Sequence, residues 1–274
     1  MDTTQLRERA ALLRRLHDRS RILLLPNAWD VASARVVEQA GFPAVATSSA
    51  GIAAVLGYAD GERISRDEML EMVARIARAV RVPVTADLEA GYGDVAGTVA
   101  AALRAGAVGM NLEDSTSEDA LVDVAAQVES LKAARAAADR AGIPFVINAR
   151  TDVYLLGIGE KQDRLAHSLE RARAYLAAGA DCIFVPGVRD AETIGKLVKG
   201  IDGPLNVLAG PGCPEVATLS ALGVARVSAG SGTMRAALTA GLRAAEEMRD
   251  RGTYGFTEGI LTHAQVNALL SRAK

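Results

Sequence analysis

Eight short apolar runs, each closing on polar or glycine-rich residues and each followed by a stretch of helical pattern, constrain this chain more than any other feature. They occupy 22–25, 44–47, the segment opening after Pro83, 107–112, 144–148, 181–185, 204–208 and 224–228. Between them lie helical patterns at 119–141, 160–178 and 231–250, one from Asp30 to Ala40 that stops at Gly41, and one from Ser65 to Val80. The last opens Ser65-Arg66-Asp67-Glu68, a capping-box sequence. Strand and helix in strict alternation, eight times over 274 residues, predict a (β/α)8 TIM barrel; a doubly wound open sheet, with fewer strands, is the alternative. An amphipathic helix over 4–19 precedes the first strand. The sequence thus reads as one domain, 1–274, with a barrel core at about 22–240 and a C-terminal helical extension at 241–274. In the extension, Ile260, Leu261, Val266, Leu269 and Leu270 give 259–272 an apolar face that a closed barrel leaves nothing to cover. A homo-oligomer with terminal helices exchanged between subunits is therefore expected.

Composition narrows the function classes. Half the residues are hydrophobic but aromatics are only 4%, so the core is built from Ala, Val, Leu and Ile, as parallel strands and their covering helices require. A net charge of -2 leaves no basic footprint for nucleic acid. Ile22–Leu25 is far too short for a signal core or a membrane span, and Cys182 and Cys213 form no metal or disulfide pattern. The expectation is a cytoplasmic protein with a small-molecule partner, and neither nucleic acid nor membrane.

The chemistry collects at the carboxyl ends of the runs, where barrel enzymes keep their active sites. There stand Asn27 and Asp30, Ser48 and Ser49, Asp87 and Glu89, Glu113, Asn148 and Arg150, Asn206, and Ser228. The amino ends are apolar by contrast, opening on Pro83, Ala107, Pro144 and Pro204. Asp87 and Glu89 are two apart, so in an extended strand both carboxylates point to one side. An all-oxygen set suits a hard divalent ion, Mg2+ or Mn2+. With Arg150 nearby, the mouth describes a cation plus an anionic substrate; a 2-oxo carboxylate can chelate such a cation while the arginine stabilises developing negative charge. The plainer readings are solvated strand-end acids, and for Arg150 a salt bridge to Glu113 or Asp152. Gly230-Ser231-Gly232 reads either as a phosphate cradle or as a tight connection. His17, His167 and His263 lie on helical segments and read as surface or interface residues.

Six segments also resemble a family: Pro26-Asn27-Ala28-Trp29-Asp30, Thr47-Ser48-Ser49, Gly57-Tyr58-Ala59-Asp60, Asp87-Leu88-Glu89-Ala90-Gly91-Tyr92-Gly93, Asn111-Leu112-Glu113-Asp114 and Asn148-Ala149-Arg150-Thr151-Asp152. Together they resemble the isocitrate lyase/phosphoenolpyruvate mutase superfamily, in its phosphonomutase-like branch, over about residues 22–240. The resemblance implies a Mg2+-dependent enzyme making or breaking a C–C or C–P bond beside a 2-oxo acid, through a metal-stabilised enolate. It implies Asp87 as the nearest metal ligand, with Glu89, Glu113 and Asp60 holding the ion's waters. Ser48, Ser49 and Ala50 would receive the substrate carboxylate, Asn148 and Asn206 would contact substrate, and Arg150, Glu113 and Asp60 would act in catalysis. A helix-swapped dimer of dimers is also implied.

Two departures from that family bear on the reaction. The cysteine-bearing loop of isocitrate-type lyases is missing, since Gly93 leads through Asp94 straight into a helix. The lysine-bearing loop of the mutases is replaced by Ser115-Thr116-Ser117-Glu118-Asp119, which carries no cation for a phosphoryl group. What remains is C–C lyase chemistry on a small 2-oxo or 2-hydroxy acid, of the oxaloacetate decarboxylase or 2-methylisocitrate lyase kind. The alternatives are a phosphoenolpyruvate/phosphonopyruvate mutase or a phosphonopyruvate hydrolase, and, in another class, a non-catalytic metabolite-binding barrel. The histidine some family decarboxylases use near the last strand is matched here by Gly232.

Overall fold

The computed structural model describes residues 2–115 and 120–271. It opens with α1 (Thr3–Arg15), then β1 (Leu23–Leu25), β2 (Asn27–Ala28) and α2 (Val31–Gln39). Next come β3 (Val45–Thr47), α3 (Ser49–Val55), α4 (Arg66–Ala79), β4 (Val84–Asp87), α5 (Val95–Ala105) and β5 (Gly109–Glu113). The second half runs α6 (Val124–Arg140), β6 (Val146–Arg150), α7 (Arg164–Ala177), β7 (Cys182–Phe184), α8 (Ala191–Gly200), β8 (Leu205–Leu208), α9 (Val216–Leu222) and β9 (Arg226–Ser228). The chain ends with α10 (Gly232–Arg251), a short 3-10 turn and α11 (His263–Leu270).

The described strands are all parallel and ordered β1-β9-β8-β7-β6-β5-β4-β3-β2. β1 and β2 are halves of one stave: Pro26, which has no N–H to give, separates a half that pairs with β9 from a half that pairs with β3. The sheet thereby almost closes on itself as the expected (β/α)8 barrel. Asn27 locks the seam, its Nδ2 donating to Thr47 O (2.6 Å) while its Oδ1 accepts from the N–H groups of Ala229 (2.9 Å) and Gly230 (2.8 Å).

Local chemistry sets the helix starts. Ser65 and Glu68 form the expected capping box, and Asp30 makes one with Ser33. α1 closes the amino end of the barrel, with Ala10 and Leu13 fully buried. This explains Gly109 in β5: a Cβ there would meet Leu13 Cδ2 and Val146 O at 2.9 Å each. His17, just beyond α1, is correspondingly buried, which corrects the reading of it as a surface residue; His167 and His263 are exposed. Its Nδ1 lies 2.8 Å from Leu13 O, and burial together with the Arg226 charge pushes its pKa down to about 4. No helix among the described residues is long and apolar enough to cross a membrane.

Two further differences from the sequence reading concern boundaries. The stretch after Ser49, expected as loop as far as Asp60, is the helix α3, because Ser48 caps Gly51 N–H and Ile52 and Ala53 are buried on the barrel. α6 begins at Val124 with Asp123 as its cap, later than the expected 119. At the far end α11 lies on α2 of its own chain, where Arg35 Nε donates to Leu269 O at 2.8 Å.

Candidate active site

Cross-strand register builds the site in two layers. In the lower one, Asp87, Asn111 and Asn148 are direct partners on β4, β5 and β6. Parallel neighbours in register point the same way, so their side chains form a row inside the barrel. Asn148 Nδ2 donates to Asn111 Oδ1 (2.8 Å), and Asn111 Nδ2 donates to Asp87 Oδ1 (3.1 Å). The other carboxylate oxygen of Asp87 accepts from Ser49 N–H (3.1 Å) and Ser49 Oγ (2.9 Å), while its backbone N–H donates to Thr47 Oγ1 (2.9 Å).

Two residues further along each strand is the upper layer, where Glu113 pairs in register with Arg150. Arg150 Nη1 sits 2.6 Å from Glu113 Oε2, and its Nε and Nη2 donate to Asp152 Oδ1 (2.6 Å) and Oδ2 (2.8 Å). Both salt bridges weighed in the sequence are thus present. The guanidinium also lies 5.9 Å from the ring centre of Phe184. Burial alone would lower the Arg150 pKa, but Glu113 and Asp152 outweigh it and hold the group firmly charged. Asp152 is itself braced: its N–H donates to the fully buried Asp114, which also accepts from Tyr175 Oη (2.6 Å) and Arg171 (2.9 Å).

Glu89 reaches the site differently from the expected strand alternation. The strand stops at Asp87, and Glu89 adopts a left-handed φ of 50° in the turn that follows, so its direction is set by the turn. Its carboxylate accepts from Glu62 N–H and from Tyr92 Oη (3.2 Å); Glu62 in turn accepts Tyr92 N–H (2.8 Å). Glu62 and Tyr92 share the left-handed conformation, at φ 52° and 56°. This clasp ties the loop carrying Asp60 to the turn after β4. Asp60 stands at the rim, raised in pKa by desolvation and by Asp87, with the Gly61 N–H and Arg150 pulling the other way.

The remaining expected residues divide. Ser48 is buried as the α3 cap, with Ala50 half-buried in its first turn. Asn206 is fully buried, and it and Ser228 bond each other (3.2 and 3.3 Å). Asn27 and Asp30 serve the seam and the α2 cap instead of the mouth. The sequence reading gave no role to Thr47, nor to Asn111 beyond its place in a motif, though Asn111 precedes Glu113 by two and so shares its side of the strand. Arg226 was missed: it stands two before Ser228, but nothing in its neighbourhood shows that its side chain is wholly interior.

Whether a divalent cation suits these residues is decided by the donor set. Burial pushes the Glu89 and Glu113 carboxyls up, and the Asp87 charge adds to both. Carboxyls gathered around the Asp87 charge in this way want a compensating cation. Among the described residues no three His, Cys, Asp or Glu side chains stand close enough to enclose an ion by themselves. The buried Asp87 carboxylate, with the raised Glu89, Glu113 and Asp60 carboxyls around it, is an all-oxygen set of the kind that suits a hard divalent ion reached partly through water.

The comparisons with known proteins agree with this geometry. Residues 13–249 match the phosphoenolpyruvate phosphomutase family. The chain belongs to it. It thereby joins the isocitrate lyase/phosphoenolpyruvate mutase superfamily of lyases and mutases. A candidate lyase/mutase from Burkholderia cenocepacia J2315 is 39% identical, covers 99% of this chain and 98% of its own, and superposes with a TM-score of 0.91. A candidate phosphonomutase from the same organism is 45% identical over 87% of this chain and 99% of its own, with a TM-score of 0.84. The oxaloacetate decarboxylase of Chromohalobacter salexigens is 34% identical over 81% of this chain and 79% of its own.

Proposed function

We propose that the chain is a divalent-cation-dependent lyase, using Mg2+ or Mn2+, that breaks a C–C bond to C3 of a small 2-oxo or 2-hydroxy acid, next to the carbonyl-bearing C2 in the 2-oxo case, with oxaloacetate the first substrate to test. The observation that carries this reading is the Glu113–Arg150 pair standing in register directly above the Asp87–Asn111 row, so that the seat for a cation and a fixed guanidinium look onto one substrate. The decarboxylase relative supports the choice of reaction.

In this reading Asp87 holds the cation, and Glu89, Glu113 and Asp60 hold its waters. The cation would supply a Lewis-acidic charge to the carboxylate and carbonyl oxygens of the substrate. Of the expected Ser48, Ser49 and Ala50, the Ser48 hydroxyl and the Ala50 N–H would receive the substrate carboxylate, while Ser49 gives its N–H and Oγ to Asp87. As the bond to the leaving carboxylate breaks, its electrons move onto the carbonyl oxygen. Arg150, fixed by Glu113 and Asp152, meets that charge without rearranging. CO2 departs and the enolate takes a proton at C3 from water. Asn148 and Asn206 form the polar floor beneath.

A second reading, mutase or hydrolase chemistry on a C–P bond, draws on the family match and the phosphonomutase candidate. Against it stands the loop after Asp114, which offers no cation in its sequence; Thr116–Asp119 lie outside the described residues. Oxaloacetate and phosphonopyruvate should be assayed side by side with Mg2+. Turnover of oxaloacetate alone supports the lyase; turnover of phosphonopyruvate alone overturns it. Oxalate binding with no turnover of either would mark a metabolite-binding barrel. The chain is further proposed to be a homo-oligomer, since Leu238, Leu242, Met248, Tyr254, Ile260 and Leu261 on the C-terminal elements are exposed.

A further inference from the structure

Arg226 on β9 is the largest fully buried side chain of the described residues, and among those residues no carboxylate lies within ion-pairing distance of it. Its Nη2 donates to Asn111 Oδ1 at 3.3 Å, while Nε and Nη1 have no hydrogen-bond partner. A buried guanidinium so poorly paired costs several kcal/mol relative to an apolar side chain of similar length. Its one hydrogen bond is therefore the contact through which it can act on the site.

Asn111 Oδ1 accepts from two donors, Arg226 Nη2 and Asn148 Nδ2. With the amide oxygen held from that side, the amide nitrogen is forced towards Asp87, where it donates to Oδ1 at 3.1 Å. The opposite oxygen of Asp87 is held by Ser49. The carboxylate is therefore fixed at both ends, and one of those ends is set from across the barrel. Asp87 is also a carboxylate whose charge acts on Arg226, so the amide relays between opposite charges.

We infer that Arg226 is a positioning residue: through Asn111 it fixes the carboxylate of Asp87 in the orientation that receives the cation. The inference rests on Asp87 being the residue that holds the ion. Lengthening or loosening this relay leaves Asp87 free to turn and weakens the seat.

The test is Mn2+ binding by titration calorimetry without substrate, together with thermal unfolding, on wild type, Arg226→Met, Arg226→Lys, Asn111→Ala and the Arg226→Met/Asn111→Ala double variant. Arg226→Met is expected to keep or raise the melting temperature, because it removes a buried charge, and to bind Mn2+ at least about tenfold more weakly. Arg226→Lys, which keeps a donor and the charge, is expected to recover affinity to within about threefold. In the Asn111→Ala background Arg226→Met should no longer weaken binding. The sign is diagnostic, since a cation acting only through its field would repel Mn2+, and removing it would tighten binding. Unchanged or tighter binding in Arg226→Met overturns the inference, as does an undiminished effect without Asn111. Should Arg226→Met fail to fold, Arg226→Gln takes its place with the same expected loss. Wild-type protein that takes up no Mn2+ overturns the reading of Asp87 and this inference with it; wild type that binds normally beside an equally good Arg226→Met overturns this inference alone.

Discussion

Arg150 spends its three nitrogens on two carboxylates, Glu113 and Asp152, and that fixed fork is what the proposed chemistry uses. Lysine would bring the charge but only a single point of contact, unable to hold both partners at once. Arg150→Lys is therefore expected to cut kcat on the order of 100-fold while KM moves by no more than about threefold. A raised KM with kcat unchanged would show that the arginine binds substrate and transition state alike. His17 gives a residue-scale test of the fold. Its folded pKa, about 4, lies below the ordinary 6.5, so folding excludes a proton that the unfolded chain accepts. Its contribution is complete above about pH 6.5 and is lost progressively as pH falls towards 4, a loss of about 3 kcal/mol in all. Denaturant unfolding across that window should show the decline, and His17→Asn should flatten it; an unchanged slope in the variant would assign the acid sensitivity to other groups.

Among the elements, β5 and α7 are joined by one buried ion cluster, in which Asp114 accepts from Arg171, Tyr175 and the N–H of Asp152. Asp114→Ala would leave Arg171 without its carboxylate and is expected to cost about 3 kcal/mol of stability in urea unfolding. Because Asp152 hangs from Asp114, the variant should also slow turnover; full activity at reduced stability would separate the brace from the site. The elements show how much was legible beforehand. The eight runs could be placed because parallel strands buried on both faces read as unbroken apolar segments, and the capping box at Ser65 carried its own signature. Strand alternation points Glu89 to the site, yet the strand ends two residues before it, and the left-handed φ of 50° in the turn sets its direction instead. Arg226 and Asn111 meet across 115 residues, a contact that belongs to barrel closure and leaves no mark in local sequence.

For the whole molecule, the C-terminal helices carry the open question of assembly. On α10, Leu238 and Leu242 are one turn apart and about 60% exposed, and the chain after it adds Tyr254, Ile260 and Leu261. A surface of this kind is costly in water and is expected to be covered by a second copy. Light scattering after size exclusion should give a mass well above the 28.5 kDa of one chain, and Leu238→Glu with Leu242→Glu should reduce it. A wild-type mass of one chain would contradict the assembly. The barrel's central claim is that one divalent ion, held by Asp87, joins the protein to a small organic dianion. Calorimetric titration with oxalate, in Mg2+ and in EDTA, on wild type and Asp87→Ala, tests it most directly. Binding is expected only for wild type with Mg2+; equal binding in EDTA, or unchanged affinity in Asp87→Ala, would contradict it.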